Sequence, residues 1–247
     1  MPISIWYLAL PWALALGAGT LSQACEAESP RRCDKYAWQS LFDGRTLKNW
    51  QITKFGGEGQ VSVDNGMIVM ESGNDMTGVT YDGEPPRTNY EITLEGMRIE
   101  GRDFFCTTTF PVGDEPCSLV VGGWGGGVLG LSNIDGHDAS ENPTTQYFAF
   151  ENNKWYRVRI RVSDARIECW IDDQQLVDVP RSGHTFGIRP EVERNKPLGI
   201  STWQTTGAIR NVRWRLLPPA DAPPSSMRGD NCRTPLPRRR RRVRGLS

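Results

Sequence analysis

The sequence predicts an all-β fold, a two-layer sandwich of antiparallel strands, and three observations lead there. No long stretch of the 247 residues repeats apolar side chains at helical spacing. Two-residue alternation recurs instead, most plainly in Trp155–Val162, where Tyr156, Val158, Ile160 and Val162 share one face and Arg157, Arg159 and Arg161 the other. Turn-forming residues, among 26 Gly and 17 Pro, break the chain into short runs suited to strands.

In chain order, strands are expected at Gln60–Val63 and Met67–Glu71, then at the apolar runs Tyr90–Arg98, Phe104–Phe110 and Ser118–Val121. Tyr147–Glu151 follows, and then Trp155–Val162. The turn Ser163-Asp164-Ala165 leads into Arg166–Asp172, with Ile167, Cys169 and Ile171 inward and Glu168 placed to pair with an arginine of the neighbouring strand. Asp172-Asp173-Gln174 turns the chain into Leu176–Val179, and Leu198–Thr202 and Ile209–Leu217 close the series. A body of this length buries a sizeable two-layer core.

The 29 basic and 29 acidic residues cancel, but unevenly. Residues 1–24 carry no charge, residues 218–247 hold eight Arg against two Asp, and the body between them is net −6. An acidic body does not suit nucleic acid. The apolar run Ile3–Leu21, ending in Ser22-Gln23-Ala24, reads as a signal peptide over 1–24 and predicts export to the periplasm, envelope or exterior. A lipid anchor at Cys25 is disfavoured by Ser22, where that pattern wants a bulky aliphatic residue. Residues 25–37 form an extension before a domain over 38–217. The Pro-rich linker from Pro218 leads to Arg238–Arg242 and Arg244, a solvated tail or one that contacts an anionic surface.

None of the six cysteines forms the C-x-x-C pair of a zinc site. Cys106 and Cys117 flank FPVGDEP and are expected to bridge across a hairpin as a disulfide. Cys169, on an apolar strand face, reads as a buried free thiol. The most unusual stretch is Gly122–Thr145, in which six glycines surround Trp124 and the polar residues Asp135, His137, Asp138, Glu141 and Asn142 follow. Glycines permit close backbone approach, an exposed indole stacks on a sugar ring, and clustered carboxylates beside a histidine suit acid–base work or a hard cation. The plainer reading of each residue is a turn or a cap. His184 has no cluster near it. Arg157, Arg159 and Arg161 suit a solvated strand face better than a sugar-binding one. No nucleophile elbow, P-loop, H-E-x-x-H or dinucleotide-binding glycine pattern occurs.

Five segments taken together resemble the family of secreted 3-keto-disaccharide hydrolase domains. Ser40–Trp50, SLFDGRTLKNW, is similar to its opening LF-G-L-W element, Gln60–Ile68 to the strand pair that follows, and Tyr90–Met97 to a later strand. Asn153–Val179 resembles its W-x-x-I-x-V strand and hairpin, and Leu198–Leu217, with Ile209-Arg210-Asn211-Val212, its closing R-N-I strand. The resemblance implies a concanavalin-like jelly roll of two antiparallel sheets and hydrolysis of 3-keto-glycosides. Where family members place an acidic cleft residue, this chain reads Cys117-Ser118-Leu119-Val120, so that residue does not carry over.

The expectation is therefore an exported domain that binds carbohydrate and cleaves glycosidic bonds. Asp138 and Glu141 are its catalytic pair, His137 a helper, and Trp124, Asn142 and Asp135 its substrate contacts. No motif demands a cofactor, although Ca²⁺ would suit the Asp-rich loop. One alternative is a non-catalytic lectin, possible with or without Ca²⁺; another is an envelope scaffold that binds through its arginine tail.

Overall fold

The computed structural model describes residues Lys35–Pro218. The expected signal peptide, the Cys25 anchor, Cys33, Cys232 and the arginine tail lie outside the described residues. Among the described residues no helix is long and apolar enough to cross a membrane.

Two antiparallel sheets face each other, as the sandwich reading requires. The eight-stranded sheet runs β13 (Gln174–Pro180), β12 (Arg166–Ile171), β11 (Trp155–Val162), β6 (Tyr90–Glu100), β15 (Thr206–Leu216), β4 (Met67–Met70) and β3 (Val61–Asp64), with β1 (Gln39–Ser40) also on β15. The seven-stranded sheet runs β10 (Gln146–Tyr147), β9 (Val128–Ser132), β8 (Glu115–Gly123), β7 (Thr107–Val112), β14 (Gly199–Trp203), β5 (Met76–Tyr81) and β2 (Trp50–Ile52). Strand alternation fills the space between. Ile92, Leu94, Val158, Ile160, Ile167 and Cys169 from one sheet meet Phe110, Leu119, Val121, Leu129, Leu131 and Ile200 from the other in one buried cluster. Gly96 lets the layers close around Cys106, because a Cβ there would stand 2.5 Å from the Cys106 Sγ.

The expected Cys106–Cys117 disulfide is not formed; both are buried free thiols, as is Cys169. Register explains the correction. Strands β7 and β8 pair Phe110 with Cys117 and Thr108 with Leu119, which centres the hairpin on Gly113-Asp114. Phe105 bonds to the Val121 carbonyl, so Cys106 sits four residues beyond the level of Cys117. At ~3.3 Å per residue that is about 13 Å, well past the ~7 Å between Cα atoms that a disulfide tolerates.

Gly122–Thr145 is part strand and part loop. Val128–Ser132 is a fully buried strand with Leu129 and Leu131 in the core. Its Gly130 faces outward, where a Cβ would stand 3.1 Å from the carbonyls of Ala139 and Thr144. The absent side chain lets residues 133–145 fold back over the outer surface of this sheet. Val120, Val128 and Ala139, with Phe104 against them, form a second small apolar cluster there.

Candidate functional site

The outer face of the seven-stranded sheet carries a cleft of about 240 Å³. Alternation sends Leu119, Val121 and Leu131 inward and leaves Thr107, Ser118, Val120 and Ser132 as its floor, with Met76 and Trp203 beside them. Its walls come from Asp103-Phe104, from Trp124, and from Arg189, Glu191 and Val192 at the 3-10 turn Pro190–Asn195. An apolar cleft with a few convergent polar groups is the usual form of a small-molecule site.

Trp124 occupies the turn between β8 and β9 with φ of 50° and 45% of its surface exposed. A bulky side chain in the left-handed region costs about 1–3 kcal/mol and persists only where the surroundings fix it. Here the Gly125 amide donates to Asp103 Oδ2 at 2.9 Å and the Gly126 amide to the Gly123 carbonyl at 3.1 Å. The Oδ1 of Asp103 accepts the Phe104 amide at 2.8 Å, so one carboxylate ties two walls together. The indole is thereby held at the cleft mouth, with the Arg189 guanidinium 6.0 Å from its ring centre.

Arg189 is the electrostatic centre. Its Nη2 donates to Glu191 Oε1 at 2.9 Å and its Nη1 to Asp138 Oδ2 at 2.8 Å. The hydrogen bond from Arg189 holds the Glu191 carboxyl below its ordinary range against partial burial, so Glu191 is ionised at neutral pH. Burial pushes the Asp138 carboxyl up, but hydrogen bonds from Ser140 and the charge of Arg189 bring it below its usual value.

The residues expected to form the site do not converge. Trp124 lines the cleft, and Asp138 stands behind Arg189 with its other oxygen on the Ser140 amide and hydroxyl. Asp135 turns away. It accepts the Thr185 amide at 2.8 Å and pairs with His184 Nδ1 at 2.7 Å, which also gives His184 a neighbour that sequence distance concealed. The Asn142 amide is consumed within its loop, donating to the carbonyls of Leu131 and Asp138 and accepting from the amide and hydroxyl of Thr144. His137 and Glu141 are exposed and outside the cleft lining. Among the described residues no three of His, Cys, Asp and Glu are grouped to hold a metal. Arg189, Glu191, Asp103 and Trp203 were missed. The only signal was charge alternating beside Pro190 in GIRPEVERNKP, which resembles any exposed turn.

Residues 37–215 match the sequence profile of the 3-keto-alpha-glucoside-1,2-lyase-like domain. The chain belongs to this family. Among solved structures, the lyase-like domain is similar to a Crh5 transglycosylase in complex with NAG, with a TM-score of 0.52 and 12% identity over 75% of this chain and 86% of that one. A protein from Bacillus subtilis with a galectin-like fold aligns with a TM-score of 0.49 and 12% identity, over 72% and 94%. The carbohydrate binding module CBM66 from Bacillus subtilis aligns with a TM-score of 0.46 and 11% identity, over 68% and 95%. At 12% identity the likeness to the Crh5 transglycosylase speaks to the fold alone, a jelly-roll sandwich. No curated protein matches the sequence.

Proposed function

We propose that the lyase-like domain binds a 3-keto-glycoside in the Trp124 cleft and cleaves it by elimination, with Glu191 as base. The apolar segment Ile3–Leu21 supports placing this work outside the cytoplasm. The observation that carries the reading is an ionised Glu191 in contact with Arg189 inside a cleft flanked by an exposed indole. A ketone at C3 acidifies the C2–H bond. Glu191 takes that proton, the electron pair forms the C1=C2 double bond, and the C1–O bond breaks. The leaving oxygen recovers the proton, and water added to the enone completes a net hydrolysis. Arg189, with N–H groups beyond those used on Asp138 and Glu191, donates to the enolate oxygen at C3. Asp138 acts as a positioning residue for Arg189.

The test is incubation of the purified protein with 3-keto-glucosides, following release of the aglycone. Glu191→Gln should lose turnover by at least about 100-fold while still binding substrate. A variant that turns over like the wild type removes Glu191 as the base. Non-catalytic binding is the second reading, because both oxygens of the cleft carboxylate Asp103 are already occupied by backbone amides. Wild-type binding without any turnover would establish it.

A further inference from the structure

A second cavity of about 170 Å³ adjoins the cleft and is lined by Phe55, Gly56, Gly57, Asp75, Met76, Glu191 and Trp203. Met76, Glu191 and Trp203 also line the first, so the two compartments meet along those three side chains. Taken together they reach the size range of small-molecule sites, ~300–1,000 Å³. We infer that this second compartment holds the leaving group of the substrate, a neutral polyhydroxylated ring of monosaccharide size, with Asp75 as its specificity-determining hydrogen-bond acceptor. The inference rests on the proposed function, since a substrate spanning both compartments sets its C1–O linkage beside the shared Glu191.

The chemistry of the lining identifies the ligand class. The rings of Trp203 and Phe55 offer apolar surface, while Asp75 is exposed with a carboxylate that accepts hydroxyl donors. Two carboxylates, Asp75 and Glu191, disfavour an acidic leaving group by like-charge repulsion. The compartment is also built rather than incidental. Gly78 of β5 lacks a Cβ that would stand 3.2 Å from the Phe55 ring, so the ring lies on the sheet. The turn after Phe55 is fixed by Glu58, which accepts the amides of Gly56 and Gly57 at 2.9 and 3.2 Å. Hydrogen bonds to the Glu58 carboxylate from its own amide, Gly56, Lys54 and Gly57 hold its pKa down to about 2.

The experiment compares the full chain with Asp75→Ala, Asp75→Asn and Phe55→Ala on three substrates: a 3-keto-disaccharide, the matching methyl 3-keto-glucoside, and a 3-keto-disaccharide with a uronate leaving group. Asp75→Ala should raise KM for the neutral disaccharide about tenfold, leave methyl glucoside kinetics unchanged, and narrow the gap to the uronate. Phe55→Ala should act in the same direction on the neutral disaccharide alone. Asp75→Asn, which keeps an acceptor, should recover much of the loss. Equal effects on disaccharide and methyl glucoside, or none on either, overturn the inference. Should the wild type turn over none of the three substrates, the function reading fails separately. Calorimetric binding of the same ligands then decides the compartment: a disaccharide preference that depends on Asp75 upholds it, and no preference overturns it.

Discussion

Replacing Arg189 by Met removes the charge while keeping an extended apolar side chain, and the structure sets what should follow. Two ion pairs are lost, to Glu191 at 2.9 Å and to Asp138 at 2.8 Å. The arginine is 44% exposed and Glu191 39%, so that pair is well screened; Asp138, at 19%, is more sheltered. Such pairs contribute up to about 1 kcal/mol each, giving a total loss of about 1–2 kcal/mol. For a domain of this size each kcal/mol moves Tm by ~2–4 °C, so calorimetry should read a fall of about 2–8 °C. Turnover should fall by ~10²–10³, the usual consequence of deleting one donor to a developing oxyanion.

The pH dependence separates the two roles of this arginine. Glu191 works as a base only when ionised, and Arg189 holds its carboxyl below the ordinary 4.5. The acid limb of kcat/KM in the wild type therefore lies below that value. In Arg189→Met the hydrogen bond and charge vanish while burial and Asp138 still push upward, so the limb moves to higher pH. The stability difference has its own sign. A carboxyl depressed in the folded state adds stability that is full above its unfolded pKa and is lost as pH falls through the folded one. The Tm gap between the two proteins should be constant above about pH 5 and close as pH falls through the depressed folded-state pKa values of Glu191 and Asp138. An acid limb that stays in place in the variant would refute Glu191 as the base, whatever happens to the rate.

Glu91 is fully buried, with its oxygens on Arg159 at 3.2 Å and Arg215 at 2.5 Å. Glu91→Gln should cost about 3 kcal/mol in urea denaturation, the low end for a broken buried pair because both arginines can rehydrate. Its turnover at 25 °C should match the wild type, since Glu91 serves the other sheet. Trp124→Gly relieves the left-handed strain, so Tm should hold or rise by the equivalent of about 1 kcal/mol while substrate affinity drops at least tenfold. Burial pushes the thiols of Cys106, Cys117 and Cys169 up, that of Cys117 to about 12. Alkylation mapped by mass spectrometry should leave all three unlabelled in the folded chain and label them in urea, without prior reduction.

Periodicity made the frame legible. Alternation in Trp155–Val162 and Arg166–Ile171 reports burial on one face, and β11 and β12 pair with Ile160 opposite Cys169. Where a strand is buried on both faces the signal disappears. Val128–Ser132 is covered outside by its own following loop, and its glycine, needed for that cover, looks like part of a flexible run. The strand Met76–Tyr81 was missed for the same reason, since its first four residues are all buried. Clustering along the chain misled at the site. Asp135, Asp138 and Asn142 are neighbours in sequence, yet each faces a different partner, whereas Arg189 reaches Asp138 across 51 residues. Hydrogen-bonding demand inside a 13-residue fold-back loop absorbs polar side chains that a linear reading assigns to chemistry.

The two outer faces of the sandwich explain why the cleft lies where it does. On the eight-stranded sheet, arginines and carboxylates answer one another across β12, β11, β6 and β15: Arg159 and Arg215 on Glu91, Arg210 on Glu95, Arg161 on Glu168. Tryptophans then cover the guanidiniums, with Arg159 3.7 Å from the ring centre of Trp170 and Arg210 4.0 Å from that of Trp155. That surface meets most of its polar demand with its own side chains, the buried Arg161 Nε being left without a partner. The opposite face carries small hydroxyls, Thr107, Thr109, Ser118 and Ser201, buried beneath loops and the 3-10 turn. Thr109 and Ser118 bond to each other at 2.8 Å, but the Ser201 hydroxyl and both polar atoms of the fully buried Asn195 amide find no protein partner. A buried polar group without a partner costs about 1–3 kcal/mol. A fold sequence under selection for stability alone would replace such groups with apolar ones. Asn195→Leu should therefore raise Tm by about 2–12 °C. If it also lowers substrate affinity, the hydroxyl floor extends the cleft beneath the 3-10 turn; if affinity is unchanged, the cleft ends at Val192.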